Sequence, residues 1–514
     1  MHRPGRERRS LVLAVCCLSV LLVSLDTTVL NVALPSIGRD LNSSVSGLQW
    51  TLDAYTIVLA SLLTAAGATA DRVGRRRVFQ LGLVVFTAAS ALCSVAPGTG
   101  WLVFFRMVQA VGGSMLTPVA MAILANTFPQ PRERARAIGV WGGVVGVSMA
   151  AGPVLGGVLV QSTGWRSVFW LNVPIGLAAL VLTALFVPES RAARARRADP
   201  VGQSLVVVLL GALTYAVIEA PGAGWTSPLI VACLMGAAGA LAGLVPYEMR
   251  RTDPLIDPRL FRSASFSGAT LTAVLAFAAL GGFLFANALY LQGELGLSPL
   301  AAGVRLLPMA VLSLVCPPLS GRLVGSRGPR IPLLLAGAGI SASGALAVLT
   351  TASAHPSYAQ LALTYALFGL GFGFVNAPIT DTAVSGLPPA QAGVAAALAA
   401  TSRQVGSALG VAVIGAAVAA GSRAAAWWII TGCGLAVLAL SAVTTGRRAV
   451  PDTAETDPAD NARTPSRVQR DGVRVRAPGR PCTCISPQEA GRLSLDHQRT
   501  TGDREFRRPA QDQD

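Results

Sequence analysis

Fourteen apolar runs, each about as long as a helix that crosses a membrane, constrain this chain more than any other feature. A helix needs ~20 mostly apolar residues to span a bilayer, and it pairs its own backbone polar groups there. Only 13% of the residues are charged. The sequence therefore predicts an all-α integral membrane protein. The runs cover 11–34, 48–70, 78–96, 101–124, 136–160, 167–187, 202–220, 228–247, 266–291, 301–323, 331–352, 357–380, 393–420 and 425–445.

The loops between the runs alternate between arginine-rich and arginine-poor. Arginine marks the cytoplasmic loops of membrane proteins, so we expect a multi-pass plasma-membrane protein with both termini in the cytoplasm. The net charge of +16 does not indicate nucleic-acid binding, because the arginines lie between apolar runs rather than on one face. The arginine-rich loops are 71–77, 125–135, 188–201, 248–265 and 324–330.

The turn after the second run joins glycines, one acid and several arginines: Gly67, Asp71, Arg72, Gly74, Arg75, Arg76 and Arg77. Gly67 permits close approach of a neighbouring helix, and Gly74 suits a sharp reversal. Asp71 is not needed for anchoring, so we expect a specific partner, such as an arginine or a helix N-terminus. The alternative is an ordinary basic cytoplasmic loop in which the acid occurs by chance. This order of residues resembles the loop between helices 2 and 3 of the major facilitator superfamily, which implies a gating role.

An echo of this turn at Gly321–Arg330 indicates two related halves. Six helices in each half leave the seventh and eighth runs as an inserted pair. We expect a cytoplasmic N-terminal tail, two six-helix bundles of the major facilitator fold around the inserted helices, and a disordered cytoplasmic tail. The corresponding ranges are 1–9, 10–190, 191–250, 251–445 and 446–514.

An acid, Asp26, lies inside the first run. A carboxylate within a span costs at least ~2.5 kcal/mol, so it usually faces the bundle interior and has a function. Burial disfavours the charged form, so Asp26 could bind and release a proton. A packing acid with a fixed arginine partner is the alternative. The segment resembles the helix 1 motif of the fourteen-helix drug:proton antiporters.

Two more charged residues lie in the second and fourth runs. Asp53 is close to the edge of its run, between Trp50 and Tyr55, which suit the outer interface. We therefore expect Asp53 to lie inside the span and to be partly hydrated. The alternative is an ordinary solvated acid near the end of the helix. Arg106 keeps its charge and needs an acid or water. It matches the family's helix 4 motif, so the resemblance implies proton coupling by Asp26, Arg106 and Asp53. A static ion pair is the alternative.

The fifth run is rich in glycine. Gly152 and Gly156 share one face, so a partner helix can approach closely, and Pro153 bends the helix. Close packing alone is one interpretation. The order Gly-Pro-x-x-Gly-Gly resembles the antiporter motif, which implies export rather than uptake. The motif residues are Gly146, Gly152, Pro153, Gly156 and Gly157.

Several further side chains could line a substrate cavity or only link helices: Asn31, Gln109, Trp141, Asn287, Tyr290, Asn376 and Arg403. Arg403 could also extend to the cytoplasmic edge of the membrane. No nucleophile–base set, metal-ligand spacing or nucleotide-binding loop is recognisable. We therefore expect a protein that is not an enzyme and needs no cofactor or metal.

The resemblance, over residues 10–445, implies a monomeric, proton-driven exporter of small amphipathic compounds that works by alternating access. Asp26 and Asp53 against the single Arg106 would leave an excess of negative charge, which favours lipophilic cations. A transporter of one endogenous metabolite and a transporter-like membrane sensor are the alternatives. A sensor would not need a proton site.

Overall fold

The structure, a computed structural model, describes residues 6–192, 199–251, 254–353, 356–384 and 392–444. Within these ranges every regular element is helical, and fourteen helices are long and apolar enough to cross a membrane. The predicted all-α class and the predicted number of spans are confirmed. The 446–514 tail and residues 1–5 of the N-terminal tail lie outside the described residues.

The N-terminal half contains six spans, the last of which is interrupted by a turn. The helices are α1 (Arg6–Asp40), α2 (Val45–Val73), α3 (Arg75–Ser94), α4 (Thr99–Thr127), α5 (Pro131–Thr163), α6 (Ser167–Trp170) and α7 (Asn172–Phe186). Most extend beyond the apolar runs, because the polar residues at their ends continue the helix past the thickness of the bilayer.

Two spans, α8 (Pro200–Ala223) and α9 (Pro228–Met249), follow, and a short 3₁₀ helix (Pro258–Arg262) precedes the C-terminal half. That half contains α10 (Ala264–Leu289), a π-helix (Tyr290–Glu294), α11 (Pro299–Arg305), α12 (Leu307–Arg327), α13 (Arg330–Ala352), α14 (Tyr358–Gly373), α15 (Asn376–Val384), α16 (Ala392–Ala419) and α17 (Arg423–Thr444).

The helices of each half pack mainly on one another. In the N-terminal half α4 packs on α2 and α3, and α1 packs on α5 and α7. In the C-terminal half α10 packs on α16 and α17, and α13 packs on α14 and α17. The halves meet where α2 contacts α16 and where α5 contacts α11 and α12. Helices α8 and α9 pack together, and α8 covers the side on which α2 and α16 meet.

The bundle has two distinguishable ends. We call the end at which α1 begins and α17 ends the near end, and the end that carries residues 41–44 and 95–98 the far end. An ion pair of 3.3 Å between Arg9 and Glu133 joins the starts of α1 and α5 at the near end. A second ion pair, between Asp40 and Arg166 at 2.5 Å, joins α1 to the turn before α6 at the far end.

Candidate functional site

A buried ion pair joins Asp26 of α1 to Arg106 of α4. Arg106 Nη1 donates to Asp26 Oδ2 at 2.5 Å, and each residue is only 1% exposed. Removing one member of such a pair typically costs 3–5 kcal/mol, because the remaining charge stays buried. Two of the three predicted coupling residues, Asp26 and Arg106, are therefore direct partners inside the N-terminal half.

Uncharged side chains complete the hydrogen bonds of Asp26. Gln109 Nε2 and Asn172 Nδ2 donate to Asp26 Oδ1 at 2.9 and 2.7 Å, and both also donate to Ser90 Oγ, at 3.2 and 2.9 Å. Gln109 Oε1 in turn accepts from Arg106 Nη1 at 2.7 Å. We call Asp26, Ser90, Arg106, Gln109 and Asn172 the polar network. Its members come from α1, α3, α4 and α7.

Helix α2 closes the polar network on the side of the arginine. Arg106 Nε donates to the carbonyl of Thr51 at 3.3 Å, and its guanidinium lies 4.1 Å from the centroid of the Tyr55 ring. Such a cation–π contact stabilises a desolvated guanidinium. The expectation that Tyr55 lies at the membrane interface is wrong. Tyr55 is 2% exposed, because its position on α2 turns it towards Arg106.

Asp53 lies on a different face of α2. It is 0% exposed, and neither carboxylate oxygen accepts a hydrogen bond from a described residue. One turn earlier, Gln49 contacts α16, and Trp50 donates to Glu219 of α8 at 2.7 Å. Residues three or four positions apart share a helix face, so Asp53 faces α8 and α16. The expectation of partial hydration is wrong, because these helices cover the edge of the second run.

A central cavity of about 220 Å³ separates the two halves. Its walls come from α1, α2, α4 and α5 on one side and from α10 and α16 on the other. Most of the lining is apolar, as in many ligand sites. The lining residues are Val23, Ser24, Thr27, Thr28, Asn31, Leu52, Tyr55, Thr56, Arg106, Val145, Met149, Phe277, Leu280, Gly281, Leu284, Gln404, Ser407 and Val411.

Of the residues predicted to line this cavity, Asn31 does so, and it also lines a small adjoining pocket towards the far end. Gln109 is 0% exposed inside the polar network, so no ligand can reach it in this conformation. Asn287 is buried within the C-terminal half and accepts a hydrogen bond from Tyr365 at 2.8 Å. Asn287 therefore links helices and does not line the cavity, which is the alternative given for it above.

The other predicted lining residues lie around the cavity rather than in its wall. Trp141 is half-buried against the core of the N-terminal half. Tyr290 lines a smaller pocket at the far end, and Asn376 begins α15. Arg403 donates to Thr380 Oγ1 at 2.7 Å and lies one residue before Gln404, which does line the cavity.

The expected excess of negative charge at the cavity is wrong. Among the described residues, the cavity lining contains one charged side chain, Arg106, and no acid. Asp53 faces α8 and α16, and the side chain of Asp26 is 0% exposed behind Arg106. Since Asp26 compensates Arg106 at 2.5 Å, a molecule in the cavity meets a nearly neutral, mostly apolar wall.

Hydrogen bonds between the halves lie towards the far end. Gln49 Nε2 donates to the carbonyls of Val411 and Ala412 of α16 at 3.1 and 2.9 Å. Gln292 Nε2 donates to the carbonyl of Val32 at 2.9 Å. A Cβ on residue 415 would overlap the Gln49 amide, so Gly415 is needed for this contact. The far end is therefore closed in this structure.

The glycines of the fifth run pack against two neighbours. A Cβ on Gly156 would come within 3.0 Å of the Val29 carbonyl of α1. A Cβ on Gly157 would come within 2.7 Å of the backbone of Pro299 and Leu300 at α11. Gly146 faces Leu314 of α12. The motif thus joins α5 to α1 within its own half and to α11 and α12 across the interface.

We predict that Gln49→Ala destabilises the closed far end, because two hydrogen bonds worth about 1 kcal/mol each are lost. The far-end turns should separate in a larger fraction of molecules, which distance measurements between spin labels at the two halves would report. Gln130→Ala, which changes an exposed glutamine before α5, is the control. An unchanged distance distribution in Gln49→Ala would show that these bonds do not hold the far end closed.

The turn after α2 is held by its own ion pair. Asp71 Oδ1 accepts from Arg75 at 2.9 Å from Nη2 and 3.1 Å from Nε, and Arg75 Nη1 also donates to the Ala122 carbonyl of α4 at 3.4 Å. The partner of Asp71 is thus an arginine of the same turn. A Cβ on Gly67 would meet Pro118 at an ordinary 3.8 Å, so this approach does not require glycine.

The segment after α7 attaches to this turn. The Arg76 amide donates to Glu189 Oε1 at 3.1 Å, and Arg76 Nη2 donates to the Ala184 carbonyl at 2.6 Å. The Arg75 amide donates to the Ser190 carbonyl at 2.9 Å. Gly74 has a φ of 127°, and a Cβ there would meet Glu189 at 2.7 Å. Both its conformation and its space are therefore restricted to glycine.

We predict that Gly74→Ala destabilises the protein by about 1–3 kcal/mol, because the residue would keep a strained backbone conformation. Thermal unfolding in detergent measures the loss. Gly139→Ala is the matched control, since a Cβ there meets no atom within 4 Å. Equal unfolding temperatures for Gly74→Ala and the wild type would contradict the prediction.

Sequence reasoning missed two members of the polar network, Ser90 and Asn172. Asn172 carried a usable signal, because an amide inside an apolar run needs a hydrogen-bond partner. Ser90 carried no such signal, because the hydroxyl of a serine in a helix can hydrogen-bond to the backbone of its own helix. In the structure Ser90 donates its hydroxyl to the Phe169 carbonyl at 3.1 Å, and this hydrogen bond depends on how α3 packs against α6.

Comparison with known proteins decides the family. Residues 16–411 match the family model of the Major Facilitator Superfamily. The chain belongs to this superfamily. It is accordingly a membrane transporter rather than an enzyme, as the sequence predicts.

Curated relatives of this superfamily member are resistance proteins. It is 38% identical over 403 residues to "Multidrug resistance protein Stp" of Mycobacterium tuberculosis, an alignment that covers 78% of this chain and 74% of the relative. It is 39% identical over 421 residues to the "Tetracenomycin C resistance and export protein" of Streptomyces glaucescens, with 80% and 77% covered. The "Methylenomycin A resistance protein" of Bacillus subtilis is 34% identical over 431 residues, with 84% and 91% covered.

Solved structures of low sequence identity share the fold of this superfamily member. A peptide transporter POT in complex with sulfate has a TM-score of 0.63 at 15% identity, over 84% of this chain and 93% of that one. A bacterial homologue of the human lysosomal transporter Spinster has a TM-score of 0.59 at 17% identity, over 85% and 96%.

Proposed function

We propose that this superfamily member is a proton-coupled antiporter that exports amphipathic drugs or antibiotics across the bacterial plasma membrane. The observation that carries the proposal is the position of Arg106, which lines the central cavity and is also the direct partner of Asp26. One arginine thus lies between the space for a substrate and the acid that could take a proton. The names of the resistance relatives support drug export.

The proton would act through the charge of Asp26. In its ionised form the carboxylate accepts from Arg106, Gln109 and Asn172. Protonation removes the negative charge and weakens the ion pair, so Arg106 loses its compensation at the cavity wall. A bound substrate and a bound proton would then favour different arrangements of Arg106, which couples their binding.

The conformational cycle would move the halves 10–190 and 251–445 about the central cavity, with 191–250 as an inserted pair. We assign the near end to the cytoplasm, because the arginine-rich loops lie there. The closed far end then faces outward. The turn 71–77 and the segment after α7 lie at the cytoplasmic gate.

The cavity favours lipophilic molecules of little net charge rather than strong cations, because its wall is mostly apolar and holds no acid. Its few polar groups, including Asn31 and Gln404, would orient a substrate. A transporter of one endogenous metabolite is the second candidate. Chemically unrelated compounds, tested for competition with one transported substrate on the purified protein, distinguish the two candidates. A metabolite transporter would bind compounds of one chemical class only.

We predict that Asp26→Asn abolishes efflux driven by a pH gradient, because an amide can no longer take up and release the coupled proton, while Arg106 beside it keeps its charge. Substrate accumulation in everted vesicles, where export appears as uptake, should fall to the level of vesicles without the protein, while the amount of protein in the membrane is unchanged. Glu7→Gln, an exposed acid on the same helix, should keep wild-type rates. Wild-type efflux by Asp26→Asn would refute the proton site.

We predict that Asp71→Asn slows turnover more than it weakens substrate binding, because the lost Asp71–Arg75 pair lies in the near-end turn and not in the cavity wall. Equilibrium binding and transport rate, measured on the same purified protein, separate the two effects. Asp381→Asn, an exposed acid at the end of α15, serves as control. An affinity loss as large as the loss of turnover would contradict a gating role.

A further inference from the structure

Two buried acids meet where the inserted helices α8 and α9 come together at the near end. Asp199 caps the start of α8 and is 8% exposed, and Glu248 lies in the last turn of α9 and is 1% exposed. Acids buried this deeply are stable only if both oxygens of each carboxyl group have partners or if the group is uncharged.

Each carboxyl group has one oxygen with partners and one without. Asp199 Oδ1 accepts from the Gly202 amide at 2.9 Å and from the Tyr247 hydroxyl at 3.0 Å. Glu248 Oε2 accepts from the Leu255 amide at 2.8 Å. Asp199 Oδ2 and Glu248 Oε1 are buried and have no hydrogen-bond partner among the described residues.

These two oxygens converge beside Gly202. The point that a Cβ of residue 202 would occupy lies 2.5 Å from Glu248 Oε1 and 2.7 Å from Asp199 Oδ2. Two ionised carboxylates at such proximity repel each other, and one of them then keeps a proton. A proton on one of these two oxygens would remove this repulsion, because the pair would then carry a single negative charge.

Arg251 is the described basic side chain that pairs with these acids, and Arg194, Arg196, Arg197 and Asp253, nearby in sequence, lie outside the described residues. Arg251 Nε lies 3.5 Å from Asp199 Oδ2, and Arg251 Nη1 donates to the Tyr247 hydroxyl at 3.1 Å. Arg72 of α2 lines the adjoining cavity with Asp199, and Arg259 donates to the backbone at the end of α9. Both of these arginines are exposed, so water screens them. Arg251 therefore balances one carboxylate.

We propose that Asp199 and Glu248 share a single proton and form a proton-binding site separate from the polar network. The shared proton joins the start of α8 to the end of α9. Through Leu255 it also joins both helices to the segment that leads into α10. The site gives the inserted pair a defined attachment to the C-terminal half that depends on the pH of the near side.

Infrared spectroscopy of the purified full-length protein tests the shared proton directly. The wild type should show a protonated-carboxyl band that persists at neutral pH. Glu248→Gln and Asp199→Asn should each lose the intensity that this pair contributes to the band, because the remaining carboxylate is ionised and accepts from the new amide. Asp53 is also buried without a hydrogen-bond partner among the described residues, and any contribution it makes is the same in all these variants. Asp381→Asn, which removes an exposed acid at the near end, should keep it.

The pH dependence of thermal unfolding provides a second readout that needs no transport. A proton bound more tightly in the folded chain stabilises it at low pH, and this stability is lost as the pH rises and the pair deprotonates. Glu248→Gln should lose this decrease, and the wild type and Asp381→Asn should show it. Parallel curves for Glu248→Gln and the wild type would overturn the proposal. So would the absence of the band from the wild type, or its disappearance on addition of Na⁺ or Ca²⁺, which would indicate a cation site instead.

Discussion

The ion pair between Asp26 and Arg106 is the interaction on which the N-terminal half depends. Neither charge is stable alone at this depth, so each fixes the position of the other. The pair then orders its neighbours. Gln109 and Asn172 use their amides to complete the carboxylate, and Ser90 accepts from both amides. Helices α1, α3, α4 and α7 are thereby held in one arrangement by a few polar atoms in an otherwise apolar bundle.

The contacts between the halves are of a different kind. At the far end, glutamine amides bond to backbone carbonyls, and glycines allow helices to approach closely. These hydrogen bonds join neutral groups, so separating them leaves no charged side chain without its partner. A neutral hydrogen bond contributes about 1 kcal/mol to stability, whereas breaking a buried ion pair costs several kcal/mol. The molecule is therefore rigid within the N-terminal half and comparatively easy to separate at the far end, as the proposed conformational cycle requires.

The sequence predicted the spans and the Asp26–Arg106 pairing because both follow from local physical necessity. A run of ~20 apolar residues has few alternatives to a membrane helix, and an embedded arginine needs an acid. The errors at Asp53 and Tyr55 share one cause. The edge of the second run does not mark the edge of the protein, since α8 and α16 cover Asp53, and Arg106 turns Tyr55 inward. Ser90 could not be assigned, because its partners come from helices far away in sequence.

The geometry of Arg106 also bears on how a broad substrate range and proton coupling can coexist. On the proposed mechanism, the wall of the cavity changes its charge without supplying an acid of its own. While Asp26 is ionised, Arg106 is compensated and the wall is nearly neutral, so apolar contacts dominate binding. When Asp26 takes a proton, the same wall carries an uncompensated cation, and a lipophilic molecule loses affinity because the guanidinium then requires water. Coupling of this type depends on hydration of the wall rather than on a specific bond to the substrate, so it suits a transporter whose substrates share only their lipophilic character.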